Sequence, residues 1–434
     1  MERTAALVLA GGRVTEMGTL TLRRAKAALP FAGTLRIIDF PMSNLAQSGV
    51  DRVGVLSQYR PSSLMDHIGT GESWGLVGRG REVRILPPFQ AESNVSWYRG
   101  TADAVFQNLN FLGDAERVLI VSGDHVYHMD YRRLVAAYEA AGAHLTMVFK
   151  RFPRETCRRF GVGCVDGSMR VTSYEEKPAE PRSDLASLTV YLFEREVLEH
   201  YLRRAYAEKR ELYQLYDHVI PPLVQGGRVQ AVVYEDYWAY ARTVDDYFEA
   251  SMDLFRPESG FDLDRWEVHT NPEQSGIGDV PPTYVSAGAA VECCRLAPGC
   301  EVQGRLSHSI LSPGVVVEEG AVVEECILMH KVRIGRNARL HKVICDKHVV
   351  VGDGAVIGHS GTAEPNRQFG QCHTCGATVI GRDAAVGNRA FIGANVQVGP
   401  AAEIAAAASV DDGVYVEGEG YDAWARRWLG GSGK

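Results

Sequence analysis

The sequence predicts two domains of different fold, an α/β domain followed by a left-handed parallel β-helix. In the first part of the chain, short apolar runs such as AALVLAGG and RVLIVSGD alternate with amphipathic helical segments, which is typical of βαβ units and a largely parallel sheet. In the later part, an aliphatic residue followed by glycine recurs every six residues, from Ile380-Gly381 to Val398-Gly399. This hexapeptide period is typical of a parallel β-helix, in which each coil adds aliphatic side chains to a central stack.

The change of pattern sets the expected domain boundaries. We expect the α/β domain over residues 1–255, a linker over 256–285, the β-helix over 286–415 and a C-terminal tail over 416–434. The linker is rich in proline, glycine and acidic residues and has no apolar period. Within the β-helix, we expect the repeated glycines to relieve corners where φ turns positive. The stretch 359–378 interrupts the repeats and is expected to be a loop.

Composition narrows the class of protein. The formal net charge of −8 argues against general binding to nucleic acid or an anionic membrane, because both need a basic face. The sequence contains neither an apolar run of about 18 residues nor a signal-peptide pattern, and its nine cysteines are scattered, so we expect a cytoplasmic protein. Cys372 and Cys375 form a CxxC pair, which suits half a zinc site, a redox pair or ordinary loop thiols.

Glycines and charged residues follow several of the expected strands. The stretch LAGG, Leu9 to Gly12, comes directly after a buried strand, where backbone N–H groups can approach a phosphate. Asp124 ends another strand, a usual place for a magnesium-binding carboxylate, although a helix cap is the ordinary alternative. Glu176 and Lys177 stand together in YEEKPAEP, where an ammonium can hold a phosphate or remain a solvated charge.

The order of these motifs, ahead of a hexapeptide domain, resembles the glucose-1-phosphate adenylyltransferases (ADP-glucose pyrophosphorylases) of bacterial glycogen synthesis. The resemblance runs from about Ala5 to Val398 and is carried by blocks such as RAKAALPFAGTLRIIDFPMSN, WYRGTADAVFQNL, SGDHVYHMDY, EEKPAE and CDKHVVVGDGAVIG. It implies a Rossmann-like, GT-A-like nucleotidyltransferase domain. It also implies a reaction in which glucose 1-phosphate attacks the α-phosphorus of ATP, with Mg²⁺ as cofactor, to give ADP-glucose and pyrophosphate.

The resemblance also implies roles for individual residues. Those implied for catalysis are Lys26, Asp124 and Lys177, with Asp124 as the metal ligand. Those implied for the nucleotide are Leu9, Ala10, Gly11, Gly12, Gly100, Thr101 and Gln107. Those implied for the sugar phosphate are Tyr98, Gly161, Glu176, Lys177 and Ser187, although Tyr98 is equally suited to a core. Those implied for a phosphorylated effector, at a family site between the domains, are Arg24, Arg36 and Lys347, for which surface cations are the alternative.

The sequence departs from the family pattern at positions that matter for catalysis. The family loop GGxGTRL is GGRVTEM here, so that Val14 replaces a glycine and Glu16 replaces the catalytic arginine. The family block YWRDVGT is YWAYART, so that Tyr240 replaces a metal-binding aspartate and Arg242 a glycine. The block SMGIY is SLTVY, with Thr189 in place of a glycine.

These replacements predict impaired catalysis. A carboxylate at position 16 would repel the triphosphate by about 3 kcal/mol at ~5 Å and an effective dielectric of ~20. Loss of a transition-state arginine typically costs about 10³–10⁵ in rate, and the phenol of Tyr240 is a poor magnesium ligand. Arg13, within the loop itself, is the one neighbour that offers a substitute cation.

Three hypotheses remain open on the sequence alone. The chain is an active adenylyltransferase, slow or with a shifted substrate preference; or a non-catalytic regulatory subunit of the same assembly; or another sugar-phosphate nucleotidyltransferase or sugar-phosphate-binding protein. The resemblance implies a homotetramer, or a heterotetramer with a catalytic paralogue. The expected ligands are ATP, glucose 1-phosphate or ADP-glucose, and a phosphorylated effector.

Overall fold

The computed structural model describes residues 1–12, 14–88, 97–209, 211–274, 276–359 and 364–418. Arg13 and residues 419–434 of the expected tail lie outside these residues. The chain divides into two compact units. The first holds residues 1–12, 40–61 and 68–238, and the second holds the described residues of 13–39, 62–67 and 239–434. Two segments of the N-terminal sequence therefore group with the β-helix.

The first unit is built on a nine-stranded sheet with the strand Thr4–Leu9 near its centre. Thr4–Leu9 is parallel to both its neighbours, Arg117–Ser122 and Arg52–Leu56, so the carboxyl ends of all three strands meet at one edge. Leu145–Arg151 joins the sheet between Leu185–Glu194 and Val229–Val233. The remaining path runs, in spatial order, through Val171–Glu176, Gly161–Val165, Leu185–Glu194, Arg117–Ser122, Thr4–Leu9, Arg52–Leu56 and Glu82–Leu86.

The sheet is mixed rather than largely parallel, which differs from the sequence expectation. Leu185–Glu194 runs antiparallel to each neighbour, and Gly161–Val165 forms an antiparallel hairpin with Val171–Glu176. The hairpin turn is short because the Asp166 carboxylate accepts backbone hydrogen bonds from Ser168 and Arg170. Such a connection can only produce an antiparallel pair, whereas a parallel pair needs a crossover.

Local sequence explains where the helices begin and end. In Tyr131–Ala141, the Asp130 side chain accepts the backbone N–H of Arg132 at the start, and Gly142 ends the helix with φ +55°. No described helix is long and apolar enough to cross a membrane. The α-helices are Asp39–Gln47, Ser62–Ile68, Thr101–Gln107, Tyr131–Ala141, Arg154–Cys157, Arg195–Lys209, Leu215–His218, Ile220–Gln225, Val244–Met252 and Leu263–Trp266. The 3₁₀ helices are Gly18–Thr21, Lys26–Ala28, Glu72–Trp74, Leu109–Leu112, Asp253–Phe255 and Pro257–Ser259.

The second unit contains the left-handed parallel β-helix, whose three sheets have seven parallel strands each. One sheet comprises Tyr284–Val285, Glu301–Val302, Val316–Val317, Arg333–Ile334, Val350–Val351, Ala385–Val386 and Glu403–Ile404. The second comprises Ala290–Glu292, Arg305–Ser307, Val322–Glu324, Arg339–His341, Val356–Ile357, Phe391–Ile392 and Ser409–Val410. The third comprises Arg295–Leu296, Ile310–Leu311, Ile327–Leu328, Val343–Cys345, Thr378–Ile380, Gln397–Val398 and Tyr415–Val416.

Most of the repeated glycines of the β-helix serve close packing between coils, which corrects the expectation that they relieve positive φ angles; Gly358, with φ +78°, fits that expectation. Gly387 and Gly393 do not have positive φ angles. A Cβ at Gly387 would lie 2.5 Å from the backbone nitrogen of Ala406 in the next coil, and one at Gly393 would overlap Asp412. Positive φ angles at other corners fall on residues of several types, among them Asn337, Lys331 and Gly354; asparagine and glycine tolerate the left-handed conformation.

Residues 14–39 belong to the second unit because they bond to its core. The backbone N–H of Thr19 donates to the Oε1 of Gln397 at 2.9 Å, and Gln397 is buried. The Tyr247 hydroxyl donates to the carbonyl of Pro30 at 2.7 Å, and its ring packs edge-on against Phe31. These contacts tie an N-terminal segment to residues more than 200 positions away in sequence.

The buried aliphatic stack predicts which substitutions lower the stability of the β-helix. Truncation of the fully buried Ile357 by Ile357→Ala should lower the free energy of opening of the β-helix by about 2–5 kcal/mol, because a cavity remains. Hydrogen exchange of β-helix peptides measures this quantity. Val350→Ala, at a strand position that is 46% exposed, is the matched control and should change it by less than about 0.5 kcal/mol. Equal effects of the two variants would contradict the stacking account.

Candidate functional site

The glycine loop after the first strand lies at the carboxyl edge of the sheet. The backbone N–H of Ala10 donates to the carbonyl of Leu56 at 2.9 Å, and the N–H of Gly123 donates to that of Leu9. A Cβ at Gly11 would come within 3.2 Å of the Gln58 side chain. A Cβ at Gly12 would meet no heavy atom within 4 Å among the described residues. Packing among the described residues therefore does not require a glycine at position 12, whereas close approach of a ligand to the backbone would.

Asp124 follows the neighbouring strand at the same edge of the sheet. Its Oδ1 accepts a hydrogen bond from the Ser122 hydroxyl and lies 3.6 Å from Nε2 of His125. Within the part of the chain that the structure describes, no group of three histidine, cysteine or acidic side chains is placed to hold a metal ion. One carboxylate still suits a magnesium ion that keeps several waters and is also held by ligand phosphates.

Tyr98 is a core aromatic in this structure. Its side chain is 7% exposed and packs in the main hydrophobic core of the first unit. Its hydroxyl donates to the carbonyl of Leu86 and accepts from Asn108, both at 2.9 Å, and burial raises its pKa to about 12. The hydroxyl is therefore fully used within the protein, so any contact of Tyr98 with a ligand falls to its ring or backbone.

The residues expected at the nucleotide also have partners within the protein. A Cβ at Gly100 would overlap the carbonyl of Tyr213, so glycine here is set by packing. The Thr101 hydroxyl donates to Gln214 at 3.1 Å. Gln107 donates from Nε2 to a carboxylate one turn earlier in its helix. Its Oε1 is buried and has no hydrogen-bond partner among the residues described.

Four of the residues expected at the sugar phosphate lie together on neighbouring strands. Gly161 and Glu176 are paired in register, and Oε1 of Glu176 lies 3.6 Å from Nζ of Lys177. The other oxygen, Oε2, accepts a hydrogen bond from the Tyr174 hydroxyl at 3.1 Å. Burial raises the pKa of Glu176, which the positive charge of Lys177 opposes. Ser187 lies on the strand that pairs with the same hairpin.

Two of the residues that depart from the family pattern, Glu16 and Arg242, interact with each other in the second unit. Oε1 of Glu16 accepts from Nε and Nη2 of Arg242 at 3.1 and 2.8 Å, and each side chain is 29% exposed. Burial alone would raise the pKa of Glu16, but the hydrogen bonds from Arg242 bring it below its ordinary value. The ammonium of Lys26 lies 4.0 Å from the ring centroid of Tyr240, a cation–π distance. The carbonyl of Val14 accepts from the Thr21 hydroxyl.

The residues expected at an effector also fall within the second unit. Arg24 is buried, and its Nη2 donates to both carboxylate oxygens of Asp346 at 2.5 and 2.6 Å. Arg36 is buried too and donates to the carbonyl and hydroxyl of Ser63. Lys347 differs: no hydrogen bond or ion pair of its ammonium is seen with the described residues. Burial and the charges of Arg24 and Arg36 lower its pKa to about 7.

The CxxC loop is a structural anchor of the second unit. The Asp245 carboxylate accepts backbone hydrogen bonds from Thr374 and Cys375, and the thiols of Cys372 and Cys375 are both free. Burial raises the pKa of both thiols, which favours the unreactive thiol form. The loop-thiol interpretation therefore fits better than a zinc or redox site.

Comparison with known proteins agrees with this architecture. Residues 5–256 match the family model for nucleotidyl transferases, and residues 283–380 match that for the GlmU-like C-terminal hexapeptide domain. The chain is 34% identical to a glucose-1-phosphate adenylyltransferase of Fervidobacterium nodosum, over 96% of this chain and 100% of the relative. It is 37% and 38% identical to those of Bacillus mycoides and Bacillus anthracis, over 82% of this chain and 95% of each relative.

The chain belongs to the glucose-1-phosphate adenylyltransferase family. The resemblance and the fold class drawn from the sequence are thus confirmed. The sequence did not lead us to predict two contacts: the ion pair of Glu16 with Arg242, and the hydrogen bond from the Tyr174 hydroxyl to Glu176. The first had a detectable signal, because two family positions changed to opposite charges in one sequence.

The Glu16–Arg242 ion pair is predicted to protect the backbone of residues 14–25 from hydrogen exchange. Glu16→Gln and Arg242→Gln should each speed hydrogen exchange of this segment about fivefold, since each removes a half-buried ion pair worth about 1 kcal/mol. Exchange is measured by mass spectrometry of peptides covering the segment. The charge-swapped variant Glu16→Arg/Arg242→Glu is the control and should recover most of the protection. If the swapped variant exchanged as fast as the single variants, the segment would be held by other contacts.

Proposed function

We propose that this chain is a regulatory member of the glucose-1-phosphate adenylyltransferase family, which binds sugar phosphate and nucleotide but makes little ADP-glucose by itself. The observation that carries the proposal is the ion pair between Glu16 and Arg242. Glu16 stands at the family's catalytic arginine position. Its carboxylate also neutralises Arg242, the cation introduced nearby. A chain that had kept its chemistry would need that positive charge for the departing pyrophosphate.

Ligand binding rests on residues of the first unit. Lys177 would hold the phosphate of the sugar. Glu176 would accept hydrogen bonds from the sugar hydroxyls, and Ser187 would donate a hydrogen bond to them. Backbone N–H groups around Gly11 and Gly12 would face the nucleotide phosphates. Asp124 would be the one protein ligand of a magnesium ion, which when bound neutralises phosphate charge and orients the α-phosphate.

Impaired catalysis follows from what the second unit lacks. The family reaction is an in-line displacement at the α-phosphorus, and its rate depends on cations that stabilise the leaving pyrophosphate. Here Glu16 occupies the arginine position, and Tyr240 replaces the second metal carboxylate with a neutral phenol. Lys26, implied as a phosphate ligand, has its ammonium on the ring of Tyr240. Together these changes favour a rate reduced by about 10³ or more.

A regulatory role is supported by the cationic group of Arg24, Arg36 and Lys347. Asp346 already neutralises Arg24, so that the net charge left for a ligand comes from Arg36 and Lys347. Two such cations suit a phosphorylated metabolite. We propose that the chain transmits this signal to a catalytic paralogue in a heterotetramer, by coupling between effector and partner sites.

The catalytic proposal is tested by pyrophosphate release from the purified chain with ATP, glucose 1-phosphate and Mg²⁺. We expect no release above background from the unmodified chain, and measurable release from the triple variant Glu16→Arg/Tyr240→Asp/Arg242→Gly. Glu16→Arg alone should stay silent, because it places two arginines side by side. Binding of glucose 1-phosphate to the unmodified chain, measured by calorimetry, should persist and be lost in Lys177→Ala. Rapid release by the unmodified chain would show instead an active enzyme.

The effector proposal predicts a pH dependence of anion binding. Sulfate is the probe, since its charge is constant over this range. An anion favours the protonated ammonium of Lys347, whose pKa of about 7 means that binding takes up a proton above pH 7. Sulfate affinity should therefore fall about tenfold from pH 7 to pH 8.5. Lys347→Met should bind more weakly and lose this dependence, and a pH-independent affinity in the unmodified chain would refute the assignment.

A further inference from the structure

An irregular strand brings two hydroxyls together beside the candidate sugar site. In Leu185–Glu194, Ser187 pairs with Phe149 and Tyr191 with Met147, so four steps on one strand match two on its partner. Thr189, between them, has φ +53°, a left-handed conformation that β-branched residues rarely adopt. Four residues of regular strand span about 13 Å, yet the Ser187 and Tyr191 hydroxyl oxygens are 3.2 Å apart.

A third hydroxyl joins this arrangement from the neighbouring hairpin. The Tyr174 hydroxyl donates to Oε2 of Glu176 at 3.1 Å. A Cβ at Gly161 would overlap that hydroxyl and lie 2.8 Å from the same Oε2. The glycine at position 161 is therefore required to make room for the bond between Tyr174 and Glu176. In this chain, the glycine at position 161 thus allows the Tyr174 side chain to reach Glu176.

Tyr191 is a neighbour of Tyr174. Burial raises the pKa of Tyr174 well above its ordinary value, and its interactions with Tyr191 and Glu176 add to that shift. The phenol therefore keeps its proton at any physiological pH and remains a donor. Tyr191 thus stands between Tyr174, whose hydroxyl donates to Glu176, and the hydroxyl of Ser187. Glu176 and Ser187 are the two groups assigned above to the sugar hydroxyls.

We propose that Tyr174 is a positioning residue of the sugar site, whose hydroxyl fixes the Glu176 carboxylate and, through Tyr191, the Ser187 hydroxyl for a sugar phosphate. This inference rests on the proposed sugar-phosphate binding and goes beyond it by naming what holds the site in place. A glutamate side chain has three rotatable bonds, and fixing it before the ligand arrives lowers the entropy lost on binding. The strained backbone at Thr189 is kept because it brings Ser187 to Tyr191.

The groups around Glu176 predict how its pKa, and with it the pH dependence of binding, responds to loss of the Tyr174 hydroxyl. Burial raises its pKa, whereas Lys177 and the Tyr174 hydrogen bond lower it and the charge of Asp217 raises it. The phenols of Tyr191 and Tyr216 lie near the same carboxylate. Removing the Tyr174 hydroxyl should therefore raise the pKa of Glu176, and binding that needs the carboxylate would begin to fail at a higher pH.

The test is calorimetric binding of glucose 1-phosphate to the full chain carrying Tyr174→Phe. We expect affinity to fall about fivefold, as for the loss of one hydrogen bond, and the acidic limb of the affinity profile to move to higher pH. ATP affinity should not change. Tyr131→Phe is the matched control, because it removes a buried hydroxyl bonded to that of Tyr127 elsewhere in the first unit, and it should leave both affinities unchanged.

The outcomes separate this inference from the function on which it rests. If the unmodified chain does not bind glucose 1-phosphate, the proposed function fails and the inference fails with it. If it binds and Tyr174→Phe binds equally well with the same pH profile, only the inference is overturned. Should Tyr174→Phe fold poorly, Tyr191→Phe is the second variant. It removes the hydroxyl that contacts Ser187 and should weaken sugar-phosphate binding without changing ATP affinity. Unchanged binding in that variant would also overturn the inference.

Discussion

The buried ion pair of Arg24 and Asp346 is the interaction on which the second unit depends. Both side chains are almost fully buried, so removing one partner would leave an uncompensated charge at a cost of about 3–5 kcal/mol. The pair joins residues 14–39 to the β-helix. It also fixes the charge environment of the adjacent Lys347, because the positive charge of Arg24 lowers the lysine's pKa. The same contact thus supports the fold and sets the properties of the proposed effector site.

The same short segment carries two of the departures from the family pattern, Val14 and Glu16. Glu16 and Lys26 both lie on it, and their partners Arg242 and Tyr240 follow one another closely along the chain. Glu16 and Tyr240, considered alone, each replace a group that the family pattern assigns to catalysis. In the structure both have a partner: Glu16 forms an ion pair with Arg242, and the ring of Tyr240 lies under the ammonium of Lys26. The replaced side chains thus contribute contacts within the second unit.

The periodic parts of the fold could be predicted from the sequence, and the contacts across long sequence distances could not. The six-residue period predicted the β-helix because its coils repeat locally. The reason for Gly387 escaped prediction, since it depends on a backbone atom in the next coil. Tyr98 was ambiguous for a similar reason: whether an aromatic faces the core or a ligand is decided by residues such as Asn108 that pack against it. The pairing of Glu16 with Arg242 joins positions 226 residues apart, beyond any local pattern.

The proposed function separates binding from catalysis because the two are assigned to different residues. Glu176, Lys177 and Ser187 belong to the first unit, whose hairpin and bulged strand keep their hydrogen bonds. The replaced positions Val14, Glu16, Tyr240 and Arg242 belong to the second unit, whereas Thr189 lies in the first. Under the proposed function, loss of the arginine and of a metal carboxylate would raise the barrier of the chemical step, which depends on charge that develops only in the transition state. The hydrogen bonds proposed to hold a sugar phosphate in the ground state would not depend on those two groups. Such a chain would sense its ligands without consuming them.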